Sequence, residues 1–277
     1  MALALFPLLI SFLFLLPVSS LAQTAGNITV GASLSAVENS SWISPSGDFA
    51  FGFHQLEHNK DLFLLAIWYN KIPEKTIVWY ANGDKPAPRG SKLHLTSDQG
   101  LVLNSPHGEQ LWNTSQTING GVVDSGVMDD SGNFLLIGSN SIVWESFKNP
   151  TDTMLPSQKL DKEVALSSRR SETNFAKGRF RMVLKSDGNL VLTTINFPSD
   201  YLNEPYFESK TSAGDSDLSS PGSQVVFNES GYLFVLRENN ERFRLTPTIT
   251  GSTKDFYYRV TLDFDGMLVL YSYPKIR

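Results

Sequence analysis

The sequence predicts an all-β protein of many short strands, arranged as two similar halves that meet near residue 150. A glycine-containing turn followed by a short apolar strand recurs along the whole chain. Helical periodicity is nearly absent, and the apolar segments are rich in β-branched and aromatic residues bounded by turn formers. Together these observations favour repeated β-hairpins over any helical fold.

The recurring unit is a polar or acidic residue, then glycine, then an apolar alternation that usually ends in leucine. Each copy is typical of a tight turn that needs glycine at positive φ and leads into a short strand. The six copies are residues 46–51, 98–103, 130–136, 187–192, 230–236 and 265–270. Three copies fall in each half, which predicts one supersecondary unit repeated three times per half.

Segments between the copies follow the same logic. Residues 62–69 and 76–80 are apolar and bounded by turn residues, so they are predicted strands. Residues 86–90 and the Asn149-Pro150 pair are predicted loops. The stretch 209–223 is rich in Ser, Gly and Asp and is predicted to be a mobile surface loop.

Composition excludes several classes of chemistry. The chain of 277 residues carries a net charge of −5, which argues against a surface that binds duplex nucleic acid. It has no cysteine, so thiolate metal sites, iron–sulfur clusters, cysteine nucleophiles and disulfides are excluded. With only four histidines, we expect neither a metal site nor a cofactor. No kinase, Walker, H-E-x-x-H or G-x-S-x-G motif occurs, and we expect no catalysis by this chain.

The beginning of the chain is predicted to be a signal peptide. Residues 1–16 are almost wholly apolar, Pro17 interrupts them, and Ser20-Leu21-Ala22 supplies small residues for cleavage before Gln23. An uncleaved membrane anchor is the alternative. We therefore expect secretion to the extracellular space, or anchoring only if the chain belongs to a longer receptor. Four N-x-S/T sequons fit that compartment, at Asn27, Asn39, Asn113 and Asn228.

Three longer motifs are more specific than the repeats. They are WISPSGDFAFGF at 42–53, the segment 67–82 containing IVWYAN, and WESFKNPTDTMLP at 144–156. In this order they closely resemble the paired bulb-type lectin domains of plant S-domain (G-type lectin) receptor-like kinases. The second half is most similar to the lectin receptor kinase subgroup, and the resemblance covers essentially the whole chain after residue 22.

The resemblance implies two tandem β-prisms, each built of three four-stranded sheets related by a pseudo-threefold axis. It places a first lectin domain at 23–148 and a second at 149–273, after the signal peptide at 1–22. Residues 274–277 would be a truncated tail, without the kinase of full-length members. The five tryptophans are expected to pack in the core, with sugar stacking as the alternative; they are Trp42, Trp68, Trp79, Trp112 and Trp144.

Family members that bind mannose carry Gln-x-Asp-x-Asn-x-Val-x-Tyr on each sheet. Alternate strand residues share a face about 6.6 Å apart, so successive side chains can span one monosaccharide. Directional hydrogen bonds from the polar side chains would recognise the sugar hydroxyls. In this chain every copy of the mannose pattern lacks some of its residues, so the sugar sites are candidates only.

The copy at 185–193 keeps the three central residues and is the best candidate for a carbohydrate site; it comprises Lys185, Asp187, Asn189, Val191 and Thr193. The copy at 263–271 keeps Asp265, Val269 and Tyr271 but has Met267 in place of asparagine. The copy at 96–104 keeps Asp98 and Val102. The alternative for Asp187-Gly188 is a plain hairpin turn with a local backbone hydrogen bond to the carboxylate.

Two functions remain open from the sequence. The first is an extracellular lectin-like module that binds mannose-type glycans or glycoproteins without catalysis, weakly at each site and more strongly through multivalency. The second is a protein-interaction or decoy ectodomain with vestigial sugar sites, which would associate with itself or with receptor-like kinase ectodomains in defence or developmental signalling.

Overall fold

The computed structural model describes residues 26–37, 40–118, 120–139, 141–214, 220–247 and 251–275. The predicted signal peptide at 1–22 and the sequon at Asn39 lie outside these residues. About half of the chain is strand and 3% is helix, which confirms the all-β prediction. Neither short helix within the described ranges is long and apolar enough to cross a membrane.

Thirteen strands precede residue 149 in the described chain. They are β1 (Asn27–Thr29), β2 (Ser33–Ser35), β3 (Ser41–Ile43), β4 (Phe49–Leu56), β5 (Asn59–Tyr69), β6 (Ile77–Tyr80), β7 (Ala87–Pro88), β8 (Lys92–Thr96), β9 (Gly100–Asn104), β10 (Gln110–Asn113), β11 (Ser125–Met128), β12 (Phe134–Gly138) and β13 (Ser141–Glu145). The helices are α1 (Ser115–Ile118) and a 3₁₀ turn at Ser146–Lys148.

Twelve strands follow in the second half of the described chain. They are β14 (Thr153–Met154), β15 (Lys159–Asp161), β16 (Ala165–Arg169), β17 (Lys177–Leu184), β18 (Leu190–Asn196), β19 (Tyr201–Leu202), β20 (Phe207–Glu208), β21 (Gly222–Phe227), β22 (Leu233–Arg237), β23 (Arg242–Arg244), β24 (Phe256–Leu262) and β25 (Leu268–Pro274).

These strands form six antiparallel sheets, three from each half of the described chain. Sheet A is β1-β11-β12-β13, sheet B is β10-β9-β8-β2, and sheet C is β3-β4-β5-β6 with β7 beside β5. Sheet D is β14-β24-β25, sheet E is β15-β21-β22-β23, and sheet F is β16-β17-β18-β19 with β20 beside β18. The tandem three-sheet architecture is confirmed, although the sheets contain three to five strands and not always four.

The glycine turns of the six repeats have the predicted conformation. Every one of these glycines has positive φ, between +69° and +93°; they are Gly47, Gly100, Gly132, Gly188, Gly231 and Gly266. At Gly100 a second constraint applies, because a Cβ atom would lie only 2.3 Å from Thr114 Oγ1. This turn therefore needs glycine both for its backbone and for the close approach of Thr114.

The core of the first half is centred on tryptophan. Trp79 from sheet C, Trp112 from sheet B and Trp144 from sheet A meet edge to face, with ring centroids 5.9–6.2 Å apart. One indole from each sheet gives the centre its threefold character. Trp42, Trp68, Trp79 and Trp144 are buried and Trp112 is half-buried against the core, which confirms the packing prediction.

The core of the second half is smaller and lacks indoles. Leucine, valine and methionine side chains from sheets D, E and F fill it around the fully buried Phe227. Among the buried members are Met182, Leu184 and Leu262. The same three-sheet arrangement is thus built from two different sets of apolar side chains.

A hydroxyl recurs at the same place in four hairpins. The backbone N–H of the first core-facing residue after the turn donates to a Ser or Thr hydroxyl from a later segment. The pairs are Leu101 with Thr114 (3.0 Å), Phe134 with Ser146 (2.9 Å), Leu190 with Ser209 (2.9 Å) and Leu233 with Thr246 (3.1 Å). Each hydroxyl satisfies a buried backbone donor where the hairpin leaves its turn.

The two halves are packed against each other. The buried Tyr69 hydroxyl donates to the carbonyl of Tyr258 at 2.9 Å, and its ring lies 4.7 Å from Tyr257. Phe175 packs against the outer apolar cluster of sheet C, next to Tyr80. No described sheet pairs a strand from one half with a strand from the other, so we propose a domain boundary at Asn149, as the sequence predicts.

Residues 209–223 differ from the predicted mobile loop. Ser209 and Thr211 are buried, and their hydroxyl oxygens lie 2.8 Å apart. Thr211 Oγ1 also donates to the carbonyl of Gly188 at 2.6 Å. The polar side chains that suggested a loop instead form hydrogen bonds with buried groups at the sheet F hairpin. Residues 215–219 lie outside the described ranges.

Candidate functional site

The sheet F hairpin presents Lys185 and Asp187 to solvent. Lys185 Nζ lies 3.2 Å from Asp187 Oδ2, and both side chains are more than two-fifths exposed. The other carboxylate oxygen accepts from the backbone N–H of Asn189 at 2.8 Å. This local bond is the plain hairpin-turn arrangement considered from the sequence, and it leaves Asp187 Oδ2 reachable from solvent.

The other three candidate residues of this hairpin are covered. Asn189, Val191 and Thr193 are 6%, 2% and 1% exposed, and Thr193 donates to the Asn203 carbonyl at 2.6 Å. Asn189 Oδ1 accepts from the Ser209 hydroxyl at 3.1 Å. The pattern at 185–193 implies that all five side chains are open to a ligand on one face. In the structure a ligand could reach only Lys185 and Asp187. Sugar binding at this hairpin stays a prediction.

Asn133 in sheet A occupies the same environment as Asn189. Its Oδ1 accepts from the Ser146 hydroxyl at 2.9 Å and from the Phe147 N–H at 3.1 Å, and it is equally buried. In both hairpins the asparagine therefore links the turn to the hydroxyl that satisfies the next strand. This shared structural role accounts for asparagine at these positions without a ligand.

The sheet D hairpin is the more open of the two best candidates. Asp265 is exposed at the turn, Met267 is 62% exposed, Val269 is half-buried and Tyr271 is 37% exposed. The Tyr271 hydroxyl donates to Asp263 Oδ2 at 2.6 Å, while burial and that carboxylate raise the pKa of the phenol. A strand face that alternates acceptor, apolar side chain and phenol is thus accessible here.

Arg259 supports the Tyr271 ring from the neighbouring strand. Its guanidinium carbon lies 3.8 Å from the ring centroid, and the register pairs Arg259 with Tyr271. This stacking fixes the phenol on the face that also carries Val269, opposite Thr261. The geometry gives the sheet D face a preorganised phenol oxygen that can accept a hydrogen bond.

The sheet B hairpin offers little beyond Asp98. Asp98 is exposed at the turn, but Val102 is buried and Gly100 has no side chain. The Thr96 hydroxyl accepts from the N–H of Gln99 at 3.2 Å, within the same turn. As a candidate site it provides a single reachable carboxylate.

The predicted glycosylation sites differ in accessibility. Asn27 is exposed in β1, whereas Asn113 and Asn228 are half-buried. Asn113 Oδ1 accepts from the Ser115 hydroxyl at 2.6 Å, and Asn228 Oδ1 accepts from the N–H of Tyr232 at 2.9 Å. Glycosylation of these sequons stays a prediction.

A pocket of about 370 Å³ lies between the two halves and was not foreseen from the sequence. The first half contributes His54, and the second half contributes Thr153, Arg169, Arg259 and Thr261. These residues are distant in sequence and share no motif, so no local pattern could have revealed it. Within the described ranges, no three His, Asp or Glu side chains are grouped as a metal site.

Comparison with known families finds one domain match, which spans the junction of the two halves. Residues 76–174 match the family described as D-mannose binding lectin. The chain carries a bulb-type lectin domain. Domains of this kind are non-catalytic.

The relatives of this lectin chain are plant receptor kinases. A G-type lectin S-receptor-like serine/threonine-protein kinase of Arabidopsis thaliana is 46% identical over 235 residues, which cover 79% of this chain and 27% of the relative. A second, from Oryza sativa subsp. indica, is 43% identical over 276 residues, or 95% of this chain and 32% of the relative. The chain spans about a third of the length of these curated relatives.

Solved lectin structures each cover a little under half of the chain. The mannose-specific agglutinin from snowdrop bulbs, complexed with methyl-α-D-mannoside, covers 46% of this chain and 94% of its own length at 17% identity and a TM-score of 0.33. A mannose-specific lectin from Dutch crocus covers 46% of this chain and 92% of its own at 20% identity and a TM-score of 0.32.

Proposed function

We propose that the chain is an extracellular carbohydrate-recognition module that binds mannose-type glycans or glycoproteins without catalysis. The observation that carries the proposal is the open sheet D face, where Asp265, Val269 and Tyr271 keep three positions of the mannose pattern within a bulb-type lectin fold. Asp187 and Lys185 on sheet F, and Asp98 on sheet B, are further candidate contacts. As in the receptor kinase relatives, the module would serve as the ligand-binding part of a signalling protein.

The chemistry of the sheet D face fits a neutral sugar of modest affinity. The Asp265 carboxylate and the Tyr271 phenol oxygen would accept from sugar hydroxyls, and Val269 would contact the apolar side of the ring. Met267 replaces the asparagine donor, which removes one directional bond. Binding at one site would therefore be weak and would gain strength through several glycans on one glycoprotein.

Calorimetric titration with methyl-α-D-mannoside tests this proposal. We expect saturable binding that weakens about tenfold in Asp265→Ala, since a hydrogen bond to a charged group contributes roughly 1.5–3 kcal/mol. The Asp187→Ala variant tests the sheet F hairpin in the same way. Asp61→Ala, an exposed carboxylate outside the hairpin turns, is the matched control. Absence of saturable binding to the wild-type chain would overturn the proposal.

A second candidate function is protein recognition, favoured by an exposed aromatic segment beside sheet F. Tyr201 is 69% exposed, and Phe197, Tyr206 and Phe207 are each at least 40% exposed. Aromatic side chains of this kind are enriched at protein interfaces. The partner would be a second copy of the chain or the ectodomain of a receptor-like kinase.

Co-purification distinguishes the two functions. A receptor kinase ectodomain that remains bound after washing with free mannose, and that is lost with Tyr201→Ser, would support protein recognition. Elution by mannose would instead support glycan binding. Sedimentation of the isolated chain as a monomer, with no complex formed with any such ectodomain, would contradict the second candidate.

A further inference from the structure

The pocket between the two halves contains a cation without a counter-ion. Arg259 is half-buried on sheet D, and among the described residues no carboxylate lies within 4.0 Å of its guanidinium nitrogens. Its Nη1 is buried and has no acceptor within the described chain. A desolvated charge without a counter-ion costs several kcal/mol in general, so the part of this guanidinium that lines the pocket is a strong site for an anion.

The buried carboxylate near the pocket already forms an ion pair with another arginine. Asp152 is 3% exposed, and its Oδ2 lies 3.0 Å from Arg169 Nε. The Arg169 guanidinium also stacks on Phe175, with its carbon 4.9 Å from the ring centroid. The pocket therefore contains one paired arginine and one unpaired arginine, which leaves a positive charge at its floor.

Acidic side chains do occur at the mouth of the pocket. Glu57, Glu74 and Glu172 line it, together with Lys75, and all four are exposed. Water and salt screen charges in such positions, whereas the floor is shielded. The mouth is thus mixed in charge and the floor is cationic.

Neutral polar groups surround the cation. The Thr153 hydroxyl donates to Asp152 Oδ1 at 2.9 Å, so in its 3.0 Å contact with Thr261 it accepts the Thr261 proton. Thr261 Oγ1 is then left with lone pairs that can accept. His54 Nδ1 is buried and has no partner within the described chain, and burial lowers the pKa of this imidazole. Both groups suit ligand hydroxyls.

We propose that this pocket binds a hydroxylated carboxylate of about the size of one hexuronic acid residue, with its carboxylate on Arg259 and its hydroxyls on Thr261 and His54. Arginine presents a planar fork that matches a carboxylate. A volume of about 370 Å³ lies at the small end of ligand pockets, and Phe175 supplies an apolar wall. The site goes beyond the mannose-type faces, because it needs both halves and selects an acid.

Titration calorimetry with glucuronate, glucose and acetate tests the ligand class. We expect saturable binding of glucuronate, with glucose and acetate each at least tenfold weaker. The affinity for glucuronate should fall between 50 and 500 mM salt, roughly as expected when one ion pair forms. Equal binding of glucose would overturn the role of the carboxylate, and absence of glucuronate binding would overturn the site.

Two variants test the assignment of residues. Arg259→Gln should weaken glucuronate binding at least tenfold, and the isosteric Thr261→Val should weaken it several-fold. Arg242→Gln is the matched control, because Arg242 also stacks on an aromatic ring, that of Phe234 at 5.0 Å, but lies in sheet E away from the pocket. Unchanged affinity in both pocket variants would contradict the proposal.

Folding and the mannose site are controlled separately. Thermal unfolding of each variant shows whether a loss of binding reflects a loss of structure; if Arg259→Gln does not fold, the salt series and Thr261→Val still decide. Methyl-α-D-mannoside titrated into the same preparations reports on the hairpin faces. Because Arg259 also stacks on Tyr271, Asp265→Ala is the variant that separates the two sites: it should weaken binding of methyl-α-D-mannoside and leave glucuronate binding unchanged. Glucuronate binding by a wild-type chain that binds no mannoside would show that the proposed function fails and this pocket stands.

Discussion

At the residue scale, the asparagine at position 189 illustrates how a binding motif and a structural motif coincide. Asn189 occupies the position of a sugar-binding asparagine, yet its side-chain oxygen accepts from Ser209 and from the N–H of Thr211. Asn133 makes the equivalent bonds in a repeat that keeps no other residue of the sugar pattern. The common requirement is satisfaction of buried hydrogen-bonding groups.

We therefore expect Asn189→Ala to destabilise the chain by roughly 2 kcal/mol, because it leaves buried donors without an acceptor. Asn133→Ala should have a similar effect. Urea unfolding monitored by circular dichroism measures both. An Asn189→Ala protein with the same free energy of unfolding as the wild type would show that Asn189 is not structural, and Asn189 would again be a candidate for contact with a sugar.

We expect the Asp161 carboxyl to make the stability of the fold depend on pH in the acid range. The Gln224 amide donates to Asp161 Oδ1 at 2.6 Å and Lys148 Nζ lies 3.2 Å from Oδ2; these contacts lower the pKa of the carboxyl. A carboxyl with a lowered pKa in the folded state stabilises the fold above its unfolded pKa of about 3.9, and this stability is lost as the pH falls through the folded value.

Asp161→Asn should accordingly make the unfolding free energy less dependent on pH below about 4. The expected difference is about 0.5 kcal/mol, since the pair is half-exposed and partly screened. Urea titrations between pH 3 and 7 provide the measurement. Gln224→Ala removes the main donor and should give the same flattened dependence; a slope equal to that of the wild type in both variants would contradict this explanation.

At the element scale, the hydroxyl that accepts from the hairpin N–H is a second constant of the repeat, besides the glycine. In three hairpins it lies 12 or 13 residues after the donor, but in sheet F it lies 19 residues after it, because β19 and β20 are inserted. The insertion moves Ser209 away from its usual spacing. It also brings Asn203 against Thr193.

Thr246→Val should cost roughly 1–3 kcal/mol, since it leaves the buried N–H of Leu233 without an acceptor while preserving the shape of the side chain. Ser186→Ala, at an exposed turn position of sheet F, is the matched control. Denaturant unfolding of both variants measures the difference. An equal effect of the two substitutions would show that the hydroxyl is dispensable.

The turns could be predicted from the sequence because positive φ is a local demand that glycine meets, and all six glycines confirm it. The burial of Val191 and Thr193 could not, since it depends on contacts with segments more distant along the chain. A serine or threonine 12 or 13 residues after the donor, present in three of the hairpins, was a visible signal that was missed. The residues of the pattern at 263–271 are visible in the sequence, but its greater openness is not apparent from them, and sugar binding there stays a prediction.

At the scale of the whole molecule, the two halves share an interface as well as a covalent link. Phe175 reaches from the second half onto the outer cluster of sheet C, with its ring 5.2 Å from that of Tyr80. Tyr69 makes a buried hydrogen bond to the other half. The pocket at this junction was invisible to sequence analysis because its polar residues come from separate segments of both halves.

Phe175→Ala should weaken the coupling between the halves by about 2 kcal/mol, less than for a fully buried phenylalanine because the ring is only half-buried. We expect the calorimetric unfolding transition to broaden or to separate into two. Phe264→Ala, at an exposed phenylalanine of the second half, should leave the transition intact. A single sharp transition in both variants would contradict coupling through Phe175.

The unequal cores have an optical consequence. All five indoles belong to the first half, and three of them form its centre, whereas the second half contains tyrosine as its strongest chromophore. Fluorescence excited selectively in tryptophan would therefore report the unfolding of sheets A, B and C but not the unfolding of sheets D, E and F. The molecule carries its own spectroscopic label for one prism, so order of unfolding can be followed without attaching a dye.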